Sequence, residues 1–246
     1  MESINTLVLH RVVENNIENF EDISVKTFEL ILAKHPKSFL SIDNAFNNDC
    51  PISNPICLTF DDGFSSDVDV VLPMLKSNNA IATFFIVCDY LNKDGYMTND
   101  QVVQLSNNNM QIGSHSLTHP NFVDLPLRFK KDELRSSKIF LEDLLSKEVT
   151  TFSFPFGFVD NESIDEVFRA GYKFCCTSNH GLANLNSNLI PRNSINSQSS
   201  IVQIYKIMKP SIITRTIWSV EDMVKPNIKY YLPSLYPKIR DLLSKL

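Results

Sequence analysis

Two rhythms of apolar and polar positions take turns along this chain. Short β-branched and aromatic runs bounded by polar residues read as strands over 6–13 (TLVLHRVV), 55–62, 81–87, 110–116, 150–157, 173–179 and 188–195. Between them, apolar residues recur every three or four positions and predict helices over 24–35, 67–79, 99–109, 128–148 and 161–172, with Ser24 as N-cap of the first. In the longest, Leu134, Phe140, Leu141, Leu144 and Leu145 fall on one stripe expected to face the core. Residues 200–208 and 233–246 are further helical candidates. Strand–helix alternation favours a parallel sheet with crossover helices, and about seven such units suit a closed (β/α) barrel. The barrel is expected over 1–210. The less regular remainder, 211–246, is expected to be a helical appendage of the same domain.

Composition narrows the class without naming a chemistry. Of 246 residues, 43% are hydrophobic, enough for a substantial core. The formal net charge is −5, with no clustered basic surface, which argues against a nucleic-acid partner. The five cysteines are odd in number and form no CxxC pair, so free thiols in a reducing compartment are expected. Cys175 and Cys176 read as packing residues. The opening MESINTLVLHRVVENN has no basic n-region and no long apolar h-region, and no run approaches a membrane span. The expectation is a soluble cytoplasmic protein.

Chemistry enters at strand ends, where parallel α/β folds place their sites. The run ending at Phe60 is followed by Asp61 and Asp62, two carboxylates that repel unless something makes use of both. IGSHSLTHP carries His115 and His119 four residues apart, so one turn after the strand would aim both imidazoles at one cation. Each element alone is weak: Asp-Asp-Gly is ordinary turn chemistry, and a histidine pair is as often structural. Together, two histidines and one carboxylate make a mononuclear metal site with open positions. The other carboxylate is then left as a base.

The ordered set TFDDG (59–63), IATFFIV (81–87), IGSHSLTHP (112–120), FSFPFG (152–157) and AGY (170–172) resembles the polysaccharide deacetylases, carbohydrate esterase family 4 or NodB-homology domains, over roughly residues 5–195. The resemblance implies an α/β fold, a distorted (β/α)7 barrel. It implies that Asp62, His115 and His119 ligate one divalent metal, usually zinc, with cobalt or nickel as alternatives. Asp61 would be the general base. The Pro155-Phe156-Gly157 turn would face the substrate, the Phe156 N–H helping to hold the oxyanion. The reaction would remove an N-acetyl group from an amino sugar. Without an export signal, the partner would be an N-acetylated glycan precursor in surface-polysaccharide synthesis.

Two positions depart from the family pattern. Many members carry an arginine two residues before the proline of FSFPFG, where it holds the base; here that residue is Ser153. Arg192 is a candidate replacement, or else a structural arginine. The late Leu-x-His motif, whose histidine serves as general acid, is missing after residue 190. LVLHR (7–11) has a similar form, and first and last strands are neighbours in a closed barrel, so His10 is the candidate acid against a structural reading. His35 reads as surface and His180 as a loop histidine. Trp218 reads as either a sugar platform or a core anchor. Three alternatives are a related amidohydrolase acting on a non-sugar C–N bond, a metal-free binding protein with a degenerate site, and a non-haem iron oxygenase. The intact acidic pair and histidines argue against the second. Alternating β and α argues against the third.

Overall fold

The computed structural model describes residues 3–14, 17–35, 38–46, 52 and 55–231. Seven parallel strand positions form its centre. They are β1 (Ser3–Leu9), β2 (Ile56–Phe60), β3 (Thr83–Ile86), β4 (Gln111–Ser114), β5 (Thr151–Ser153), β6 (Phe174–Cys176) and a broken seventh made of β7 (Leu189–Ile190) and β8 (Asn193–Ser194). Each pairs with the next in that order. The ring closes because β8 pairs in parallel with β1, Leu7 opposite Asn193 and Val8 opposite Ser194. The chain is therefore a distorted (β/α) barrel, as expected. A two-residue strand, Ala183–Asn184, adds antiparallel to the start of β1.

The helices are α1 (Val25–Lys34), α2 (Leu72–Ser77), α3 (Asn99–Asn107), α4 (Leu127–Leu145), α5 (Asn161–Arg169), α6 (Ile201–Met208) and α7 (Ile212–Tyr231). Ser24 caps α1 by accepting from the Thr27 N–H. Thr98 and Gln101 close a reciprocal capping box on α3, and Ser200 and Gln203 do the same on α6. The strands are buried on both faces, which is why they read as near-continuous apolar runs. Phe60 and Phe84 stack across β2 and β3 with ring centroids 5.0 Å apart. Gly113 in β4 lies so close to the Phe85 ring that a Cβ there would sit 2.5 Å from it.

Several sequence expectations are corrected. The strand expected over 6–13 ends at Leu9, so His10 lies just past its end. The strand expected over 188–195 is interrupted at Pro191 and Arg192, because proline cannot donate to the ladder. The helix over 67–79 opens with a wide π turn, Asp67–Val71, before α2. On α4 the buried stripe is Lys130, Leu134, Ser137 and Leu141, whereas Phe140 is exposed. The Lys130 amine on that stripe is satisfied by Asp160 and Glu162. The stretch after 210, expected to be a helical appendage, carries the 20-residue helix α7 as far as Tyr231. The candidate helix over 233–246 and Cys50 lie outside the described residues; the other four cysteines are buried. No helix among the described residues is long and apolar enough to cross a membrane.

Candidate active site

β2 and β4 deliver the acidic pair and the histidines to one end of the barrel. Asp61 follows Phe60 directly, its N–H bonded to the Leu9 carbonyl at 3.0 Å. The chain then turns through left-handed conformations at Asp62 (φ 75°) and Gly63 (φ 79°), which aspartate tolerates better than most residues and glycine tolerates freely. After β4, His115 remains tied to the sheet through its N–H on the Ile86 carbonyl, 2.8 Å. Ser116 and His119 are again left-handed, and the Ser116 hydroxyl accepts from the His119 N–H at 2.9 Å. Glu133 on α4 holds this loop by accepting from the Leu117 and Thr118 N–H groups, both at 2.9 Å. The two imidazoles end with centroids 4.9 Å apart. Both Nε2 atoms face Asp62 Oδ1, at 3.5 Å from His115 and 3.3 Å from His119.

This donor set fits a divalent cation. One ligand atom from each of Asp62, His115 and His119 lies within 4.8 Å of the other two. Nδ1 of His115 sits 2.7 Å from the Ser153 carbonyl, which can only accept. That bond fixes the proton on Nδ1 and leaves the Nε2 lone pair aimed at Asp62, the usual arrangement of a ligating histidine. Burial pushes the His115 pKa down to about 4, against the pull of Asp61 and Asp62, so the ring is neutral at physiological pH. For Asp62, burial opposes ionisation, but His119 and His115 outweigh it and hold the carboxyl below its ordinary value. Two imidazoles and one carboxylate leave positions for water and a substrate oxygen.

Asp61 is held from the broken seventh strand position, which β1 alone separates from β2 in the ring. The break at Pro191 turns the Arg192 side chain inward, where it donates to Asp61 Oδ1 at 2.6 Å and Oδ2 at 2.7 Å. The same guanidinium reaches Ser153 Oγ at 2.7 Å and Thr59 Oγ1 at 3.1 Å. Ser153, the departure from the family pattern, thus leaves room for an arginine arriving from β7–β8. Asp61 and Arg192 are both buried. Burial alone would raise the Asp61 pKa; the Arg192 charge wins and holds the carboxyl well below the usual range.

His10 and Phe156 line the same cavity of about 910 Å³ as the acidic pair and the histidines, whereas Pro155, expected to face the substrate, is buried in the turn and does not line it. Nε2 of His10 lies 4.0 Å from Glu21 Oε2, while its Nδ1 is buried without a partner. His10, Glu21 and Asp62 form a second gathering of metal-capable atoms, although Glu21 is exposed. Phe156 adopts φ 58°, an outlier for a bulky residue, and its exposed ring lies 4.6 Å from the His119 ring.

Sequence reasoning missed three features. Glu21, beside His10, carries no motif. Asp67 is wholly buried with neither carboxylate oxygen hydrogen-bonded; burial, then Asp62 and Asp61, push its pKa well up. An aspartate opening a helix looks like ordinary N-terminal charge, so no signal marked it. His180 is more than a loop residue: its N–H and ring Nδ1 meet Asp222 of α7 at 2.7 and 3.0 Å, and its ring stacks on Trp218.

Comparison with known proteins places this architecture. The family model described as "Polysaccharide deacetylase" matches residues 48–175, just over half the chain. YxkH of Bacillus subtilis (strain 168), whose own name assigns it provisionally to the polysaccharide deacetylases, is 24% identical over 133 residues, 54% of this chain and 48% of that one. The peptidoglycan-N-acetylglucosamine deacetylase PgdA of Listeria monocytogenes is 29% identical over 113 residues, 46% of this chain and 23% of that one. The chain thus spans about half the length of the first relative and under a quarter of the second. Among solved structures, the Streptococcus pyogenes deacetylase PplD in complex with acetate superposes with a TM-score of 0.77 at 23% identity, covering 85% of this chain and 99% of that one. The motif segments, the barrel that carries them and the family match agree: the chain belongs to the polysaccharide deacetylase family.

Proposed function

We propose that this protein is a metal-dependent hydrolase that removes the N-acetyl group from an amino sugar in a glycan or glycan precursor. The observation that carries the reading is the division of labour between adjacent carboxylates. Asp62 faces two histidine nitrogens, while Asp61 is gripped by Arg192. The geometry therefore gives one aspartate to a cation and keeps the other out of the ligand set.

A divalent ion held by Asp62, His115 and His119, zinc by the chemistry of the donors, supplies Lewis acidity toward the amide carbonyl and acidifies water. The chain's own residues do the rest. Arg192 and Ser153 orient Asp61 and keep it ionised, so that Asp61 takes the proton of the attacking water. The Ser153 carbonyl holds the His115 ring in one tautomer and one plane. His10, as the imidazolium with both ring nitrogens protonated, would give its Nε2 proton to the departing amine and return to the neutral ring. Glu21, 4.0 Å from Nε2, would stabilise that imidazolium before the transfer. The Phe156 N–H, in the strained turn after Pro155, is placed to donate to the carbonyl oxygen as it gains charge. The choice of N-acetylglucosamine as the sugar rests on the printed activity of the peptidoglycan deacetylase relatives.

The test pairs metal content with acetate release from N-acetylglucosamine oligomers. About one zinc per chain and released acetate support the reading. Bound metal with no acetate from any N-acetyl sugar, but cleavage of simple amides, moves the chain to non-sugar C–N bonds.

A further inference from the structure

The groups assigned so far sit on the barrel floor of the cavity. The facing wall comes from α6 and α7, beyond the segment that matches the family model. It is built on Ile207, Ile213, Ile217 and Trp218. It is fixed to the barrel, because Asp222 of α7 accepts from both the His180 N–H and ring, and Trp218 stacks on that ring.

Helix α7 turns its faces in an unusual way. At 100° per residue, Ile212, Ile213, Ile217, Val220 and Met223 fall within one arc of about 140°. All five are exposed, whereas Trp218 on another side is buried. Two residues join the arc to the cavity: Ile213 and Ile217 line it, yet are 73% and 38% exposed. The apolar surface therefore does not stop at the cavity mouth but continues out along the helix.

The same wall carries polar residues able to meet a sugar's hydroxyl groups, Gln203, Lys206, Ser211, Thr214 and Glu221, but its isoleucines offer neither donor nor acceptor and serve no hydroxyl. Contiguous exposed apolar surface next to a polar site marks a ligand with an apolar part. We propose that the substrate is an amphipathic glycoside. Its N-acetyl sugar lies over Asp62, His115 and His119, and an alkyl- or prenyl-like aglycone runs along Ile207, Ile213 and Ile217. This rests on the deacetylase reading above.

Trp218 is the chain's single tryptophan and lines the cavity, so its fluorescence reports occupancy independently of turnover. The metal-loaded full chain is titrated with methyl, butyl and hexyl glycosides of N-acetylglucosamine, below micelle formation. Acetate release is followed in parallel. Affinity is expected to rise with chain length, at least about tenfold from methyl to hexyl, since each buried methylene is worth roughly fourfold. The Ile213→Asn/Ile217→Asn variant is expected to flatten the series. Val220→Asn/Met223→Asn, on the same arc outside the cavity, should keep it.

Equal affinity across the series overturns the proposal, as does a slope that survives Ile213→Asn/Ile217→Asn. A dimer that dissociates in the asparagine variants, with a flat series, overturns it too and assigns the arc to a second copy of the chain. The two readings fail separately. Chain-length-dependent binding without acetate keeps the apolar wall and removes the deacetylase. Acetate released equally well from every member keeps the deacetylase and removes the wall.

Discussion

Arg192 and Asp61 stand 131 positions apart in sequence and meet through two parallel hydrogen bonds of 2.6 and 2.7 Å inside the barrel. A guanidinium fork matches a carboxylate in this way; an ammonium does not. The pair sets both the charge and the direction of the proposed base.

Arg192→Lys therefore tests the base through its pH dependence. Arg192 depresses the Asp61 pKa, so wild-type kcat/KM should hold its acidic limb well below pH 4. Losing the fork raises that pKa, and the limb should move upward while kcat falls. Arg192→Ala leaves a buried carboxylate unpaired and should cost about 3–5 kcal/mol of stability. A lysine variant with an unmoved limb would show that Asp61 does not titrate in the rate.

Asp61→Asn should retain the metal and lose about 100- to 10,000-fold in turnover, the usual contribution of a positioned base. His115→Ala/His119→Ala should lose the metal itself. Metal analysis of the two purified variants distinguishes the roles, and equal metal loss in both would place Asp61 among the ligands.

His10→Ala should slow amide cleavage far more than cleavage of an activated acetate ester, whose leaving group needs no proton. Glu21→Gln, 4.0 Å from His10 Nε2, should produce a smaller loss on the amide than His10→Ala. Equal losses on ester and amide would remove His10 as the acid.

Asp67→Asn should raise stability at neutral pH. The folded Asp67 pKa lies well above its unfolded value, so between the two the native state holds a proton that the unfolded chain has released. Stability is then lost as pH rises through that interval, which begins near pH 4. Thermal melts should show the variant ahead at pH 7, by about 2–4 °C per kcal/mol, and level with wild type near pH 3.5. A gain that persists unchanged at low pH would trace it to packing instead.

Gly113→Ala tests the core beneath the histidines. The new methyl would meet the Phe85 ring and Thr151 Oγ1, at 2.5 and 2.6 Å, so about 1–3 kcal/mol of destabilisation is expected from overpacking. Chemical denaturation with an unchanged midpoint would mean that β3 and β5 yield more readily than the packing implies.

What the sequence disclosed depended on how local each feature is. Asp61–Asp62 and His115–His119 were legible because each pair sits within a few residues, just past an apolar run that any barrel would bury. His10 became a candidate only through an argument about ring closure, and Arg192 only as a replacement for the arginine missing at Ser153. Both lie outside residues 48–175, the span that matches the family model. Asp67 was invisible, since burial by neighbours leaves no trace in local pattern. The apolar arc of α7 would have misled a pattern reading outright: helical spacing assigns such a stripe to the core, and here it faces outward.

The closure of β8 onto β1 also orders events in time. A chain emerging from the ribosome offers β1 first and its closing partner almost two hundred residues later, and contacts of that sequence separation are slow to form. Until β8 arrives, β1 presents an unpaired edge, and Arg192 has not yet reached Asp61. The acidic pair must therefore spend most of synthesis without its counter-charge. The barrel becomes competent only in its final step, so a chain cut short between residues 172 and 192 carries the motif segments from TFDDG to AGY and none of the enclosure that makes them work together.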